Sequence, residues 1–475
     1  MKLRARLSEQ GIKGPPPTLL FGNIREIKKA QSAVVRDPIS SSTHKSQLRR
    51  ASLSFPPEME ETVQYVFCMP LNCILNPVRE VFMFSLGNTQ ILFVNQRDVV
   101  KEITTCTSLA LGKPSYQQKE FCTLLGQGIL TSNGALWAHQ RKILAPELYM
   151  DKVKGMMDHI FETTFTVLES WKTQIEAEGG LAHIKIDEYM RSFSGDVISR
   201  ACFGSSYCKG EEIFLKLRAL QETMSRKSLS TGVPGMRYLP TKSNRKAWAL
   251  EKDIRDLILQ VVKERKMAAY EDLLQMLVEG AENSYLSQEE TKRFVVDNCK
   301  NIYLAGYETT AVSATWCLVL LAANQEWQHI VRKELSMVIQ ESLQLYPPVA
   351  VVSREALEDM KFGEILVPKG VNIWLLVLAL HTDPEIWGKE AYTFDPNRFA
   401  RGIADACKLP QVYMPFGVGP RMCLGQNLAL VELKLVIALL LSNFSFSLSP
   451  NYTHSPVLRL VTEPEIGVHL LVKKL

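Results

Sequence analysis

A cysteine in a glycine-rich loop, Phe416-Gly417-Val418-Gly419-Pro420-Arg421-Met422-Cys423-Leu424-Gly425, runs directly into a long apolar stretch of helix-forming residues. A thiolate that holds an iron on one axial side needs a tight turn, amide N–H groups aimed at its sulfur, and a cation for the carboxylates of a porphyrin. Gly417, Gly419 and Gly425 suit the turn, the amides after Cys423 suit the sulfur, and Arg421 suits a propionate. The plainer reading is a buried structural thiol. It fits the other cysteines, which show no C-x-x-C pair and no Cys/His cluster at zinc spacing. A second constellation is Ala305-Gly306-Tyr307-Glu308-Thr309-Thr310, an acid beside an alcohol. It lies in a proline-free stretch from Thr291 to Trp327, with apolar Phe294, Val295, Ile302, Leu304, Ala305, Val312 and Leu318 at helical spacing. That stretch predicts one helix roughly 50 Å long. Glycine costs about 1 kcal/mol there relative to alanine, and β-branched threonines add to the cost. A function explains it: an acid and an alcohol at a helix distortion can relay protons, while small Ala305 and Gly306 leave room for dioxygen and a flat ring. The structural alternative is a kinked core helix whose hydroxyl bonds back to a carbonyl.

The loop, as F-x-x-G-x-R-x-C-x-G, resembles the haem-binding loop of the cytochrome P-450 family, and residues 305–310 resemble that family's oxygen-activation motif A-G-x-[DE]-T-T. Trp137-Ala138-His139-Gln140-Arg141 places Trp137 and Arg141 one helical turn apart and resembles the family's W-x-x-x-R. Phe394-Asp395-Pro396-Asn397-Arg398-Phe399 resembles its P-x-R-F segment, and Arg354 and His381 sit where the family places further propionate donors. The resemblance implies a mainly α (α+β) cytochrome P-450 fold, a helical haem domain with small β-sheets near the two ends of the chain. It implies b-type haem (heme b) with Cys423 as axial ligand, held also by Trp137, Arg141, Arg354, His381, Phe416, Arg421 and Gly425. Glu308 and Thr309 would deliver protons, and Glu341 with Arg398 would support the haem loop. The implied reaction inserts one oxygen atom of O₂ into a small apolar substrate, with electrons from an NADPH–cytochrome reductase. Trp137 to Glu147, Lys152 to Met156 and Asp297 to Tyr303 are similar to a plant subfamily in the clan that contains gibberellin-oxidising enzymes. By that similarity the substrate is a diterpenoid such as a gibberellin.

Two departures from the family pattern stand out. Its E-x-x-R helix reads Glu341-Ser342-Leu343-Gln344 here, so Glu341 is expected to rely on Arg398 alone. Breaking a buried ion pair typically costs about 3–5 kcal/mol, against a domain stability of about 5–15 kcal/mol. The family also places a helix, a loop and further helical structure ahead of this motif, whereas Glu326 leads to Leu345 without Gly or Pro and with Trp327, Ile330, Val331, Leu335, Val338 and Leu343 in helical period. A lost segment near residues 325–341 is therefore expected, leaving one continuous, bent helix.

The chain has 475 residues, 46% hydrophobic and 22% charged, enough for a large core, and no linker or repeat divides it. The organisation expected is a basic segment at 1–13, a proline-rich hinge at 14–17 and one haem-thiolate catalytic domain at 18–475, acting as a monomer. A net charge of +5 without a basic stripe argues against nucleic acid and suits an acidic redox partner. The family resemblance places the protein on the cytosolic face of the endoplasmic reticulum membrane. Lys2, Arg4, Arg6 and Lys13 lead straight into Gly14-Pro15-Pro16-Pro17, however, and no apolar run approaches the ~20 residues that span a bilayer. Contact with the membrane surface, or an incomplete gene product, follows as the expectation. The alternative to an active oxygenase is a degenerate haem protein. Other enzyme classes lack their signatures: there is no G-x-S-x-G, no P-loop and no strand-then-G-x-G-x-x-G unit.

Overall fold

The computed structural model describes residues 2–18, 21–27, 80–204, 207–225, 235–265, 272–282 and 286–475. The longer helices, in chain order, begin with α1 (Lys2–Ser8), α2 (Arg97–Thr105), α3 (Gly134–Leu144), α4 (Met157–Ala177) and α5 (Ile186–Phe203). They continue with α6 (Tyr207–Ser225), α7 (Lys242–Arg265), α8 (Leu273–Glu282), α9 (Gln288–Ala323), α10 (Gln325–Leu345) and α11 (Gln426–Asn443). The first strands are β1 (Val81–Leu86), β2 (Thr89–Val94), β3 (Leu111–Gly112), β4 (Leu181–Lys185), β5 (Val351–Ala356) and β6 (Met360–Phe362). The rest are β7 (Ile365–Val367), β8 (Asn372–Leu376), β9 (Phe444–Leu448), β10 (Pro456–Leu458), β11 (Thr462–Pro464) and β12 (His469–Lys474). One sheet runs β1-β2-β8-β5-β3, with only β2 and β8 parallel; β4-β12-β9 forms a second, and β6–β7 and β10–β11 are hairpins. The expected mainly α architecture with small sheets is what the chain adopts.

Helix α9 is the axis of the helical core. Ser287 caps it, its hydroxyl accepting the Glu290 N–H while the Glu290 carboxylate accepts the Ser287 N–H at 2.9 Å. It ends at Asn324, whose side-chain amide donates to the Leu320 carbonyl at 2.9 Å. The expected long helix is therefore present with its last residue, Ala323, four residues before Trp327, but the expected distortion is absent: α9 runs through residues 305–310 unbroken. Gly306 has a packing reason instead. A Cβ there would lie 2.6 Å from Ile198 Cδ1 on α5, so the glycine lets two helices approach rather than making room for dioxygen. The Ser194 hydroxyl of α5 donates to the Tyr307 carbonyl at 2.8 Å in the same contact.

The continuous helix expected over this stretch is not what forms: α10 is two helical pieces that meet at Glu334, whose non-helical backbone (φ −141°, ψ 46°) interrupts the helix at a kink. At the other end of the chain, segment 14–17 is pinned against β1. Arg4 donates to the carbonyls of Gly14 and Pro15, both at 2.7 Å, and a Cβ on Gly14 would collide with the Met83 carbonyl at 1.6 Å. Helices α9 and α11 are each long and apolar enough by composition to cross a membrane, which runs of uninterrupted apolar residues did not suggest. Most of α9 is buried in the protein core.

Helix α11 buries Glu432, whose carboxyl reaches the Thr310 hydroxyl on α9 while its Oε2 has no partner among the described residues. Burial pushes its pKa from 4.5 up to about 8. The folded state thus holds this proton more tightly than the unfolded chain, so Glu432 lowers stability progressively as pH rises from about 4.5 to about 8. Glu432→Gln should be near parity with the wild type at pH 5 and more stable at pH 8, read as denaturant midpoints. An unchanged pH slope would show that Glu432 ionises in the fold as it does in the unfolded chain.

Candidate functional site

The cysteine loop is closed by its own backbone. Gly417 and Gly419 both take φ 69°, Gly417 N–H donates to the Met414 carbonyl at 3.0 Å, and Cys423 N–H donates to the Phe416 carbonyl at 2.8 Å. A Cβ on Gly419 would also meet the Thr104 carbonyl of α2 at 2.8 Å. Phe416 packs on the helical core from just before the turn. Cys423 is exposed, yet the protein mass around it pushes its thiol pKa up, against the opposing pull of the Gly425 N–H and the Arg141 charge. Gly425 differs from the other two glycines. Its φ is −85° and a Cβ would meet no protein atom within 4 Å, so neither backbone nor neighbours require glycine beside the sulfur.

Beside this loop the fold gathers positive charge. Trp137 of α3 is buried, with the Arg421 guanidinium 4.3 Å and the Arg141 guanidinium 5.7 Å from its ring centroid. Arg141 donates to the Met422 carbonyl at 2.9 Å; Arg421 donates to the Ser132 carbonyl at 3.1 Å and to Asn133 Oδ1 at 2.8 Å. Arg354 arrives from β5 and donates to the Ser353 carbonyl at 2.9 Å. Burial lowers Arg354 to about 10, and burial together with Arg354 and Arg141 lowers Arg421 to about 10. Lys113, which follows β3 and whose backbone N–H bonds Asn133 Oδ1 at 2.6 Å, is driven to about 7 by burial and then by Arg354 and Arg421. Among the described residues none of these four cations has a carboxylate partner. Like charges held together out of water are unfavourable unless a dianion completes the site, and a porphyrin with two propionates is such a dianion. The donor set therefore fits haem. Lys113 escapes sequence reading because Gly112-Lys113-Pro114 carries no motif; only the fold brings it to Arg354 and Arg421.

His381 is not part of this group. It is fully buried, Nε2 accepting the Met414 N–H at 3.0 Å, Nδ1 lying 3.3 Å from the Gln344 carbonyl, and the ring stacked on Tyr413. With both ring nitrogens engaged by backbone and its pKa lowered by burial to about 4, it is a neutral packing element under the loop rather than a propionate donor.

Glu341 has more than Arg398 to rely on. Arg398 Nε donates to its Oε2 at 3.2 Å and the Asp395 N–H donates to its Oε1 at 2.9 Å, yet burial still pushes its pKa to about 7. Arg398 also donates to the carbonyls of Trp387, Glu390 and Thr393. Gln344 donates to the carbonyls of His381 and Ala391, and its Oε1 is buried without a partner among the described residues.

On α9, Glu308 and Thr309 are adjacent and so lie about 100° apart around the helix. Glu308 is buried toward Arg191 of α5 and Gln221 of α6, and burial raises its pKa to about 7 against the pull of Arg191. The Thr309 hydroxyl donates to the Ala305 carbonyl at 2.7 Å. A cavity of about 840 Å³ opens between the segment 118–127, α7 and the first turns of α9, but its lining stops at Asp297, roughly 18 Å along the axis from Thr309. It is separate from the cysteine loop.

Comparison with known proteins matches the chain to Cytochrome P450 over residues 71–339 and 335–470. This chain belongs to the cytochrome P450 family. It is 47% identical to Cytochrome P450 714C2 of Oryza sativa subsp. japonica, covering 100% of this chain and 93% of that protein. It is 39% identical to Cytochrome P450 714A2 of Arabidopsis thaliana, covering 99% and 93%. A cyanobacterial CYP120A1 solved with retinoic acid bound shares the fold at TM-score 0.71 and 21% identity, over 83% of this chain and 92% of that one. The P450 is accordingly a monooxygenase of the haem-thiolate type, a family that works with O₂ and a redox partner. The two matched pieces meet beside the bend at Glu334, and the alignment with the 714C2 protein runs over 498 positions against 475 residues here, so that relative has positions this chain lacks.

The orphaned acceptor of Gln344 makes a prediction. Arginine at this position keeps donors for the carbonyls of His381 and Ala391, removes the unpartnered oxygen and adds a cation near Glu341. Gln344→Arg should raise unfolding stability by about 1–3 kcal/mol and raise haem content on expression. A lower midpoint would mean that the bent α10 has moved residue 344 out of register with Glu341.

Proposed function

We propose that this P450 hydroxylates a small apolar plant diterpenoid of gibberellin type, with electrons from an NADPH-dependent flavoprotein reductase, as one catalytic domain over residues 18–475 on the cytosolic face of the endoplasmic reticulum. The observation that carries the haem-thiolate part is the closed Cys423 loop beside four cations that have no carboxylate among the described residues. The substrate reading is supported by the stretches at 137–147, 152–156 and 297–303. Haem, when bound, supplies activation of O₂ and transfer of one oxygen atom. Cys423 would hold its iron, with the Gly425 N–H on the sulfur. Arg421, Arg354, Arg141 and Lys113 would hold its propionates against Trp137. Glu308, half protonated near pH 7, would carry protons inward, and Thr309 would hand them on by exchanging its Ala305 bond. A second reading, a haem protein too unstable to stay loaded, is favoured by the unpartnered oxygen of Gln344 and the bend at Glu334.

The reduced carbonyl complex of the expressed chain should show the red-shifted Soret band of thiolate ligation, and Cys423→Ser should abolish it. A histidine-type spectrum in folded wild-type protein would assign the iron elsewhere, and no bound haem at all would favour the second reading.

With a gibberellin, NADPH and reductase, the wild type should release a hydroxylated product. Thr309→Ala should keep its haem and consume NADPH at a similar rate while releasing more hydrogen peroxide and less product. Unchanged product per NADPH would leave Thr309 a purely structural role.

A further inference from the structure

We propose that the cavity of about 840 Å³ between segment 118–127, α7 and the first turns of α9 is a second ligand site, one that takes an apolar carboxylic acid and is sealed from the cysteine loop. Its volume falls within the ~300–1,000 Å³ of pockets that enclose a compact organic molecule. Three elements supply the apolar lining: segment 118–127 gives Phe121, α6 gives Met224, and α7 gives Ala247 and Trp248. Trp248 is 41% exposed, so an apolar occupant would cover an indole that the protein leaves to water. The charges of the lining are sorted. Asp297, buried at 6% exposure, is held by Lys300 Nζ at 3.1 Å and by the Gln127 N–H at 2.9 Å. Glu251 lies 3.5 Å from the same Lys300, Glu120 is also engaged, and Arg255 pairs with Glu289. Lys119, Arg237 and Arg293 remain, lining the cavity with no carboxylate partner among the described residues. Arg237 lies instead over the Tyr238 ring, 4.5 Å from its centroid.

A recess with low-dielectric walls focuses the field of its unpaired charges, and here those are cations. Guanidinium groups also match a carboxylate in geometry. An apolar body carrying one acid group therefore satisfies both parts of the lining, whereas a metal ion or an amine would find the carboxylates already taken. The floor is closed. Asp297, Asn298 and Asn301 of α9 accept the N–H groups of Gln127, Ile129 and Leu130 at 2.9, 3.0 and 2.9 Å, and the Asn301 amide returns to the Leu125 carbonyl at 2.7 Å. Backbone and helix are too close there for any side chain: a Cβ on Gly126 would lie 2.1 Å from Asp297 Cγ, and one on Gly128 2.5 Å from Asn301 Cγ. An occupant is thus kept away from Cys423, and the site does not depend on haem being bound.

The test follows Trp248 fluorescence in the full chain, taken as the difference between wild type and Trp248→Phe. Three probes are titrated: abietic acid, a tricyclic diterpenoid acid; palmitic acid, a straight-chain one; and abietinol, the neutral alcohol of the first. At least one acid should change the signal saturably, and which one does tells a ring body from a chain. Abietinol should bind roughly tenfold more weakly than abietic acid if the ring is the body recognised. Arg237→Gln and Arg293→Gln should each weaken the acid by roughly tenfold. Ser243→Trp, placed on the cavity wall, should abolish binding. Both arginines reach the surface, so their loss spares the core. Any Soret response of the haem-loaded chain to the same acid should keep its midpoint in Arg293→Gln and in Ser243→Trp. No saturable signal with either acid, an alcohol that binds as tightly as its acid, or an affinity unmoved by both arginine substitutions would overturn the proposal. A Soret midpoint that moves together with the Trp248 signal would overturn the sealed floor, and with it the second site.

Discussion

Arg421 and Arg141 lie against Trp137, and Arg354 and Lys113 crowd Arg421, with no carboxylate among the described residues to offset them. Much of the fold exists to hold this arrangement. Sheet strand β5 supplies Arg354, helix α3 supplies Trp137 and Arg141, and Asn133 couples Arg421 to the backbone of Lys113. The cysteine loop then sets Arg421 and Cys423 two residues apart on a backbone that only glycine at 417 and 419 can follow. A cofactor that brings two carboxylates and accepts a thiolate would satisfy both halves at once.

Helix α9 connects this cradle to the rest of the molecule. Its capping box fixes where it begins, and Gly306 fixes how closely α5 lies against it. That close approach brings the Ser194 hydroxyl to the Tyr307 carbonyl and helps to bury Glu308, whose pKa burial raises to about 7. The acid and the alcohol at 308 and 309 face different neighbours, Glu308 a charged cluster and Thr309 its own helix.

The region around Gln344 shows how a fold absorbs a missing charge. Arg398 takes three carbonyls and one carboxylate oxygen, the Asp395 N–H takes the other, and Gln344 holds the carbonyls of His381 and Ala391. Glu341 thus remains hydrogen bonded, while its raised pKa records that one cation does not fully replace the water it has lost. His381 joins this packing layer beneath the loop, tying α10 to Met414 through both ring nitrogens.

Residue types and spacing were enough to locate the Cys423 loop, the Trp137 and Arg141 pair and the long α9, because each depends on neighbours within a few turns or on backbone rules that act locally, whereas the helical period across residues 325–345 hid the break at Glu334. Gly306 was misread from sequence as space for dioxygen, since the atom that demands it, Ile198 Cδ1, lies more than a hundred residues away. The same limit hid Lys113 among the cations and let His381 pass for one of them: whether a side chain meets a counter-charge, a like charge or a backbone carbonyl depends on which distant segments fold against it. The ion pair of Arg191 with Glu463 joins a helix to a hairpin near the C-terminus, and Coulomb interactions of that kind act over distance in space, not along the chain, so only the tertiary structure decides them.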